Sequence, residues 1–453
     1  MWYYSTRDRS IRADFSFAAL TGLAPDGGLF IPETIPPYPP AVCSSLGSMD
    51  FQDIALETIK PYVHPVISGA ALEALVQSAF TFPAPLVRVG DRLALELFHG
   101  PTAAFKDFGA RFMARSFAYL RRNENRPLHI LTATSGDTGG AVADGFFGVP
   151  GIEVTILYPK GRVSPLQERQ IAGLGGNISA LAVEGSFDDC QALVKAAFTH
   201  RELQKRRTLS SANSINISRL IPQAVYYAAA AGRALSGRVD PGGEATPRSP
   251  AAGPGANEGP SPSGKAATFC VPSGNFGNLT AGLYAMEMGA PIQGFIAATN
   301  RNRTVPDYLH TGNYHPRPSE ATISNAMDVG APSNFERMAA HWSYEALRRR
   351  VLGVSVTDEE TRRAVAAVYQ DAAYYLDPHG AVGWHGASRA EVEGRLQSGP
   401  LAILATAHPA KFAGVVEPIT GPVPVPPALA SVMDRSVAVK TIPAAITALC
   451  EAL

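Results

Sequence analysis

The sequence predicts an α/β protein: two three-layer domains built on mainly parallel sheets, preceded by a small N-terminal subdomain. Three observations point there. Short apolar runs alternate with helix-length segments through most of the chain, two Gly-rich turns each fall between a strand and a helix, and the residues before about 92 lack that alternation. Strands separated by helix-length crossovers pair in parallel and need helices on both faces of the sheet.

Taken in order, residues 1–92 form the N-terminal subdomain, marked by the Pro-rich patch Ile35-Pro36-Pro37-Tyr38-Pro39-Pro40. Residues 93–212 form the smaller α/β domain. Its strands are Leu128 to Thr134, Ile152 to Tyr158 and Ile178 to Val183, all dense in β-branched and apolar residues. Helices follow each of them, at Ala141 to Phe147, Pro165 to Leu174 and Phe187 to His200. Residues 213–453 form the larger domain, with strands Thr268 to Val271 and Ile292 to Ala298 flanking a helix from Leu279 to Met288. Within it, about Ser236 to Ala266 is rich in Pro, Gly, Ser and Ala and nearly free of large apolar residues. Such a run buries too little surface to offset its ordering entropy, so 236–266 reads as a disordered insertion in a surface loop.

Composition narrows the function classes. With 453 residues and 46% hydrophobic content the chain can fill more than one core. Its 39 basic and 39 acidic side chains balance to a formal charge of zero, which argues against nucleic acid or a charged membrane surface as partner. Cys43, Cys190, Cys270 and Cys450 are too scattered for a metal-binding CxxC pair or a disulfide scaffold. His310, His315, Asp307 and Asp328 show no metal-ligand spacing, so no metal is expected. The first residues carry charges without an apolar core, and no segment has bilayer-spanning length, which makes the cytoplasm the expected location. Tyr374-Tyr375 and Phe146-Phe147 read as core aromatics.

Lys106 carries the chemistry. It is a lone cation in Leu97-Phe98-His99-Gly100-Pro101-Thr102-Ala103-Ala104-Phe105-Lys106-Asp107-Phe108-Gly109, at the expected mouth of a helix. A lysine drawn out of water loses preference for its charged form, and its amine becomes a nucleophile toward an aldehyde. Two turns at strand ends are suited to anions. Thr134-Ser135-Gly136-Asp137-Thr138-Gly139-Gly140 offers hydroxyls and helix N-terminal amides, though it also fits a plain strand–helix turn capped by Asp137 or Thr138. Pro272-Ser273-Gly274-Asn275-Phe276-Gly277-Asn278 has the Gly and Asn content of a phosphate-binding nest, though it also fits a generic turn, and is neither a Walker loop nor a GxGxxG fingerprint. An amine beside anion-holding turns suits a phosphorylated aldehyde such as pyridoxal 5'-phosphate. His99 and His408 read as structural imidazoles, since the lysine can move the protons itself.

These residues also carry a family resemblance. Tyr4-Ser5-Thr6-Arg7, Gly22 to Leu29, the Phe98 to Phe112 lysine segment, the SGDTGG turn and Tyr158 to Gln167 resemble, in this order, the threonine synthase family. Asn213-Ser214-Ile215-Asn216, the GNFGN turn, Ala326-Met327-Asp328-Val329, Pro332 to Arg337 and Ala405 to Phe412 continue the likeness to the C-terminal region. Ala331 and Gly380 depart from it, standing where Asn and Thr are expected, and bear on local substrate contacts. The resemblance implies the pyridoxal-phosphate fold type II. It also implies that Lys106 holds the cofactor as a Schiff base, that Gly274, Asn275, Phe276, Gly277 and Asn278 grip its phosphate through backbone amides and Asn side chains, and that Thr406 faces the pyridine nitrogen. Ser135, Asp137 and Thr138 would meet the substrate carboxylate.

The implied reaction turns O-phosphohomoserine and water into threonine and phosphate: protons leave Cα and Cβ, phosphate leaves Cγ, and water adds at Cβ. Lys160, Ser164, Asn213, Asn216, Arg219 and Lys411 are the candidates for holding the substrate phosphate, although each basic residue also fits a solvated surface cation and each Asn a turn or cap. Two other readings share the scaffold: a phospho-lyase that releases 2-oxobutyrate, and a non-catalytic binder of phosphoamino acids, against which the intact lysine counts. The partner expected is this small molecule alone, with the chain a monomer or homodimer.

Overall fold

A computed structural model describes residues 1–240, 246–249 and 265–453. Its strands, in chain order, begin with β1 (Tyr3–Ser5), β2 (Arg12–Ala13) and β3 (Phe30–Pro32), followed by β4 (Leu86–Val89) and β5 (Arg92–Glu96). Then come β6 (Leu128–Ala133), β7 (Ile152–Pro159), β8 (Ile178–Glu184) and β9 (Thr208–Ser211). The last are β10 (Ala267–Pro272), β11 (Ile292–Thr299), β12 (Val351–Ser355), β13 (Leu401–Ala405) and β14 (Lys440–Pro443). They form an antiparallel sheet in the order β2-β1-β3, a larger sheet β12-β11-β10-β13-β5-β4 and a smaller sheet β14-β8-β7-β6-β9. Every pairing in the smaller sheet is parallel, and so is every pairing in the larger one except the β4–β5 hairpin. That hairpin turns through Gly90 at φ 62° and Asp91, a two-residue loop that needs the left-handed region. β6 and β10 are buried along their whole length, as strands covered on both faces must be.

The sheets do not respect a linear partition at 92/93 and 212/213. β5 lies in the larger sheet beside β13, so the chain crosses between sheets just before Lys106. β14 returns from the C-terminal segment to pair with β8 in the smaller sheet. The expected disorder across 236–266 also needs correcting. Asp240 accepts from the Leu86 amide at 2.9 Å, and Arg248 makes an antiparallel bridge to Tyr374. Residues 241–245 and 250–264 of that stretch lie outside the described residues.

Two helices begin earlier than the apolar pattern indicates, at Asp137 rather than Ala141 and at Gly277 rather than Leu279. In both, the Gly-rich turn is itself the first helical turn, and its small residues hide it from a periodicity reading. Neither Asp137 nor Thr138 caps the first of them. The Thr134 hydroxyl does, accepting from the amides of Gly136 at 3.0 Å and Gly139 at 2.8 Å.

The Ala-rich helix Ala224–Leu235 runs through the main core with ten of its twelve residues buried, so small side chains let neighbours approach on every side. The chain at Leu46 comes within 2.5 Å of where a Cβ on Gly232 would stand. Tyr226 and Tyr227 bring hydroxyls into this core, and both donate to Asn278 Oδ1, at 2.6 and 2.8 Å. Phe108, two residues past Lys106, packs its fully buried ring against Phe51, Phe80, Phe82 and Tyr226. Among the described residues, no helix is long and apolar enough to cross a membrane. Phe108→Ala removes the hub of that aromatic cluster and leaves a cavity. It should lower stability by about 3–5 kcal/mol, read from chemical denaturation.

Candidate active site

Lys106 is placed by backbone bonds from the neighbouring strand. The loop after β5 pairs with the chain leaving β13: Ala104 bridges Ala407, the Phe105 amide donates to Thr406 O at 2.8 Å, and the His408 amide donates to Ala103 O at 3.0 Å. Ala103 sits at φ 52° to make this turn. Gly100 is needed in the same loop, because a Cβ there would lie 2.4 Å from Asp107 Oδ2. Asp107 is fully buried and accepts from the amide and hydroxyl of Thr102, tying the loop to the first turn of the helix Lys106–Leu120. Burial pushes the Asp107 carboxyl up to about 6, against those two hydrogen bonds.

Around the Lys106 amine lies a cluster of buried charge. Asp137, in the first turn of the helix after β6, places Oδ2 3.9 Å from Lys106 Nζ and Oδ1 2.7 Å from Lys411 Nζ. Gln167 Nε2 donates to the same Oδ1 at 3.0 Å. Burial raises the Asp137 carboxyl, but the two lysines outweigh it and hold the group far below the usual carboxylate range. Lys106 moves the other way. Burial lowers its amine, Asp137 opposes, and Lys411 and Arg219 add to the lowering. The net direction is down, toward the neutral amine.

Lys106 opens onto a cavity of about 860 Å³ that is also lined by Gly274, Asn275, Phe276, Gly277, Asn278 and Thr406. Phe276 adopts the left-handed conformation, φ 61° and ψ 8°, which folds the turn back at the start of the helix Gly277–Met288. The Asn side chains build the turn rather than face an anion. Asn275 donates to Ser214 Oγ at 2.6 Å and accepts from the Ser333 amide at 2.5 Å. Asn278 Oδ1 is taken by the two tyrosines, while its buried Nδ2 has no partner among the described residues. The groups left for an anion are the backbone amides and that one side-chain donor.

Ser135, Asp137, Thr138, Asn213 and Arg219 also line the cavity. Asn213 Nδ2 is used, donating to Ala133 O at 2.8 Å at the end of β6. Arg219 is buried, its Nε has no partner among the described residues, and burial lowers its guanidinium to about 10. Four expected residues are not brought to the cavity. Lys160 is more than half exposed and pairs with Glu184 at 3.2 Å, a solvated surface pair. Ser164 caps the helix Pro165–Ala172 in a reciprocal capping box with Gln167. Asn216 is fully buried, donating to Ala19 O and Ser211 O and capping the next turn. Lys411 is fully buried against Asp137 and Thr102 O.

His379 is the functional candidate that sequence reasoning missed. It is buried on the cavity wall, its Nδ1 lies 2.7 Å from Asp377 Oδ1, and its Nε2 accepts from the Ala326 amide at 3.3 Å. The Asp-Pro-His run signals only a helix start, with Asp377 as cap and Pro378 in the first turn, so nothing in it reveals a cavity. Arg7 and Lys195 bring further cations to the cavity lining, from the N-terminal subdomain and the helix Phe187–Thr199. Of the two departures noted above, Ala331 lines the cavity, whereas Gly380 sits in the helix turn capped by Asp377. His99 pairs with the buried Glu96 at 2.8 Å, and His408 Nδ1 accepts from the Ala410 amide, so both act within the framework.

The same architecture and sequence occur in known proteins. Residues 2–80 match the family described as threonine synthase N terminus, residues 85–242 and 254–407 the pyridoxal-phosphate dependent enzymes, and residues 380–452 the threonine synthase C-terminal family. Threonine synthase of Escherichia coli is 40% identical over 423 residues, covering 93% of this chain and 91% of that protein. Its crystal structure superposes with a TM-score of 0.86 at 39% identity, over 100% of this chain and 99% of the other. A threonine synthase from Brucella melitensis, solved with pyridoxal phosphate bound, gives a TM-score of 0.86 at 34% identity, over 100% and 98% of the two chains. With matches of this length and identity along its whole extent, the chain belongs to the threonine synthase family of pyridoxal-phosphate-dependent enzymes.

Proposed function

We propose that this chain converts O-phosphohomoserine and water to threonine and phosphate, as a cytoplasmic enzyme acting as monomer or homodimer. The observation that carries the reading is the sharing of one cavity by the Lys106 amine, the Gly274–Asn278 turn and Thr406. Pyridoxal phosphate fits the residues present. The left-handed Phe276 and the unpartnered Asn278 Nδ2 leave donors for a phosphate, and the buried amine is suited to an aldehyde. Lys106 would hold the cofactor covalently, the 274–278 backbone its phosphate, and the Thr406 hydroxyl its ring nitrogen. A neutral hydroxyl there, unlike a carboxylate, would not enforce a protonated ring, which tunes the electron sink that the cofactor supplies when bound.

The other residues serve the substrate. Lys106 Nζ would take the proton from Cα and then a proton from Cβ. Ser135 and Thr138, with the helix-terminal amides around them, receive the substrate carboxylate. Asp137 is removed from that role, since both its oxygens already face lysines. Arg219, Arg7 and Lys195, all on the cavity lining, favour the departing phosphate dianion.

Two outcomes test the reading. A Cβ at Gly274 would stand 2.8 Å from Met327 Cα and 3.1 Å from Ala326 O. Gly274→Ala must therefore push the turn or its neighbour aside, at a cost of about 1–3 kcal/mol. A spectrophotometric titration should then show pyridoxal phosphate held roughly tenfold or more weakly, with an unchanged circular-dichroism spectrum. Incubation with O-phosphohomoserine should release threonine and phosphate in equal amounts, and Lys106→Ala should abolish this. Release of 2-oxobutyrate instead would establish a phospho-lyase, and no turnover with binding intact would establish a binder.

A further inference from the structure

Lys411 is a fully buried cation that does not reach the cavity, a placement lysines almost never adopt unless paired. Its Nζ has two partners, Asp137 Oδ1 at 2.7 Å and Thr102 O at 2.8 Å. The second Asp137 oxygen lies 3.9 Å from Lys106 Nζ. Lys411 comes from the turn after β13 of the larger sheet and Asp137 from the helix after β6 of the smaller one. One carboxylate is thus shared by two lysines, and the one outside the cavity lies closer to it.

Sharing decides the state of the reactive amine. A carboxylate within ~4–6 Å of a lone lysine favours its ammonium, which has no lone pair for an aldehyde. We propose that Lys411 is a positioning residue that takes up the Asp137 carboxylate, so that Lys106 can present a neutral amine to the aldehyde of its cofactor. In that step Lys106 Nζ bonds to the aldehyde carbon and one water leaves. The inference rests on Lys106 being the cofactor lysine.

Of the other charges around the pair, Asp377 favours a charged Lys106, as Asp137 does, but less strongly. Asp377 bonds to His379, which faces Asp137, and to the first amides of its own helix. Asp107 bonds to Thr102. Arg219 is positive and, like Lys411, disfavours a charged Lys106. Removing Lys411 therefore leaves Asp137 with Lys106 as its remaining ion-pair partner.

The test uses the full chain freed of cofactor and mixed with pyridoxal phosphate over a range of pH. Borohydride quenching at timed points and peptide mass spectrometry then measure the adduct on Lys106. An unaltered protein that gives no adduct there defeats the Lys106 assignment itself, separately from the role of Lys411. Given the adduct, Lys411→Met should move the midpoint of capture to higher pH and slow capture near neutrality by roughly tenfold, the effect of one pKa unit. Adding Asp137→Asn to it should restore the parental midpoint, and Asp137→Asn alone should place it lower. A purely structural role would change the melting temperature and leave every midpoint in place. An unshifted Lys411→Met, or a double variant no faster than it, overturns the proposal. Should Lys411→Met fail to fold, Asp137→Asn decides: a lower midpoint supports the proposal, and an equal or higher one overturns it.

Discussion

The constraint on which the site depends is that both large sheets end their strands at one seam. In parallel sheets every strand delivers its following loop to the same edge, and ligands bind there. Here Lys106 follows β5, Thr406 follows β13 and Gly274 follows β10, all in the larger sheet. Asp137 follows β6 and Asn213 follows β9 in the smaller one. Residues more than a hundred positions apart reach one cavity because they occupy the same place in a repeated strand–loop–helix unit. The backbone just before the lysine is additionally held by bonds between residues 103–105 and 406–408, which fixes where its side chain starts.

That geometry explains which parts of the site were legible in the sequence. A Gly-rich turn between an apolar run and a helix can be read directly, because the local composition and the strand-end location coincide. Lys106 was legible for a related reason: a cation among small and apolar residues has few ways of staying solvated. Lys160 and Lys411 mark where this reasoning stops. Both sit in motif-like stretches, yet one is solvated beside Glu184 and the other is buried beside Asp137. Only the tertiary path of the chain distinguishes them. Strands β5 and β14 show the same limit, since the sheet each joins is set by pairing partners far away in sequence.

The asparagines of the 274–278 turn show how side chains expected to face an anion can instead serve the turn itself. Asn tolerates left-handed backbone, yet the residue that adopts it is Phe276. Asn275 and Asn278 instead spend their side chains on Ser214, Ser333, Tyr226 and Tyr227, which locks the turn to three other segments. A turn held this way keeps its shape at the cavity wall without needing a ligand to organise it, which is the preorganisation that anion binding rewards.

The same logic accounts for the ordered part of the Pro/Gly-rich stretch. Glu96 ends β5 with no exposure to water, and a buried carboxylate needs every lone pair answered. His99 lies 2.8 Å from Oε2, Tyr374 donates to Oε1 at 3.0 Å, and the third partner is Thr246, whose hydroxyl donates to Oε2 at 3.1 Å. The flanking bonds follow: Arg248 reaches Arg88 O, the Ser249 amide reaches Ala373 O, and the Tyr375 amide reaches Pro247 O. A segment with too few apolar residues to fold by burial is therefore ordered at Thr246–Ser249 by the polar needs of a core it does not otherwise enter. Hydrophobic patterning misses such segments because burial does not hold them in place. What holds them is a set of polar bonds, one of them to a buried carboxylate that lies ten residues before Lys106.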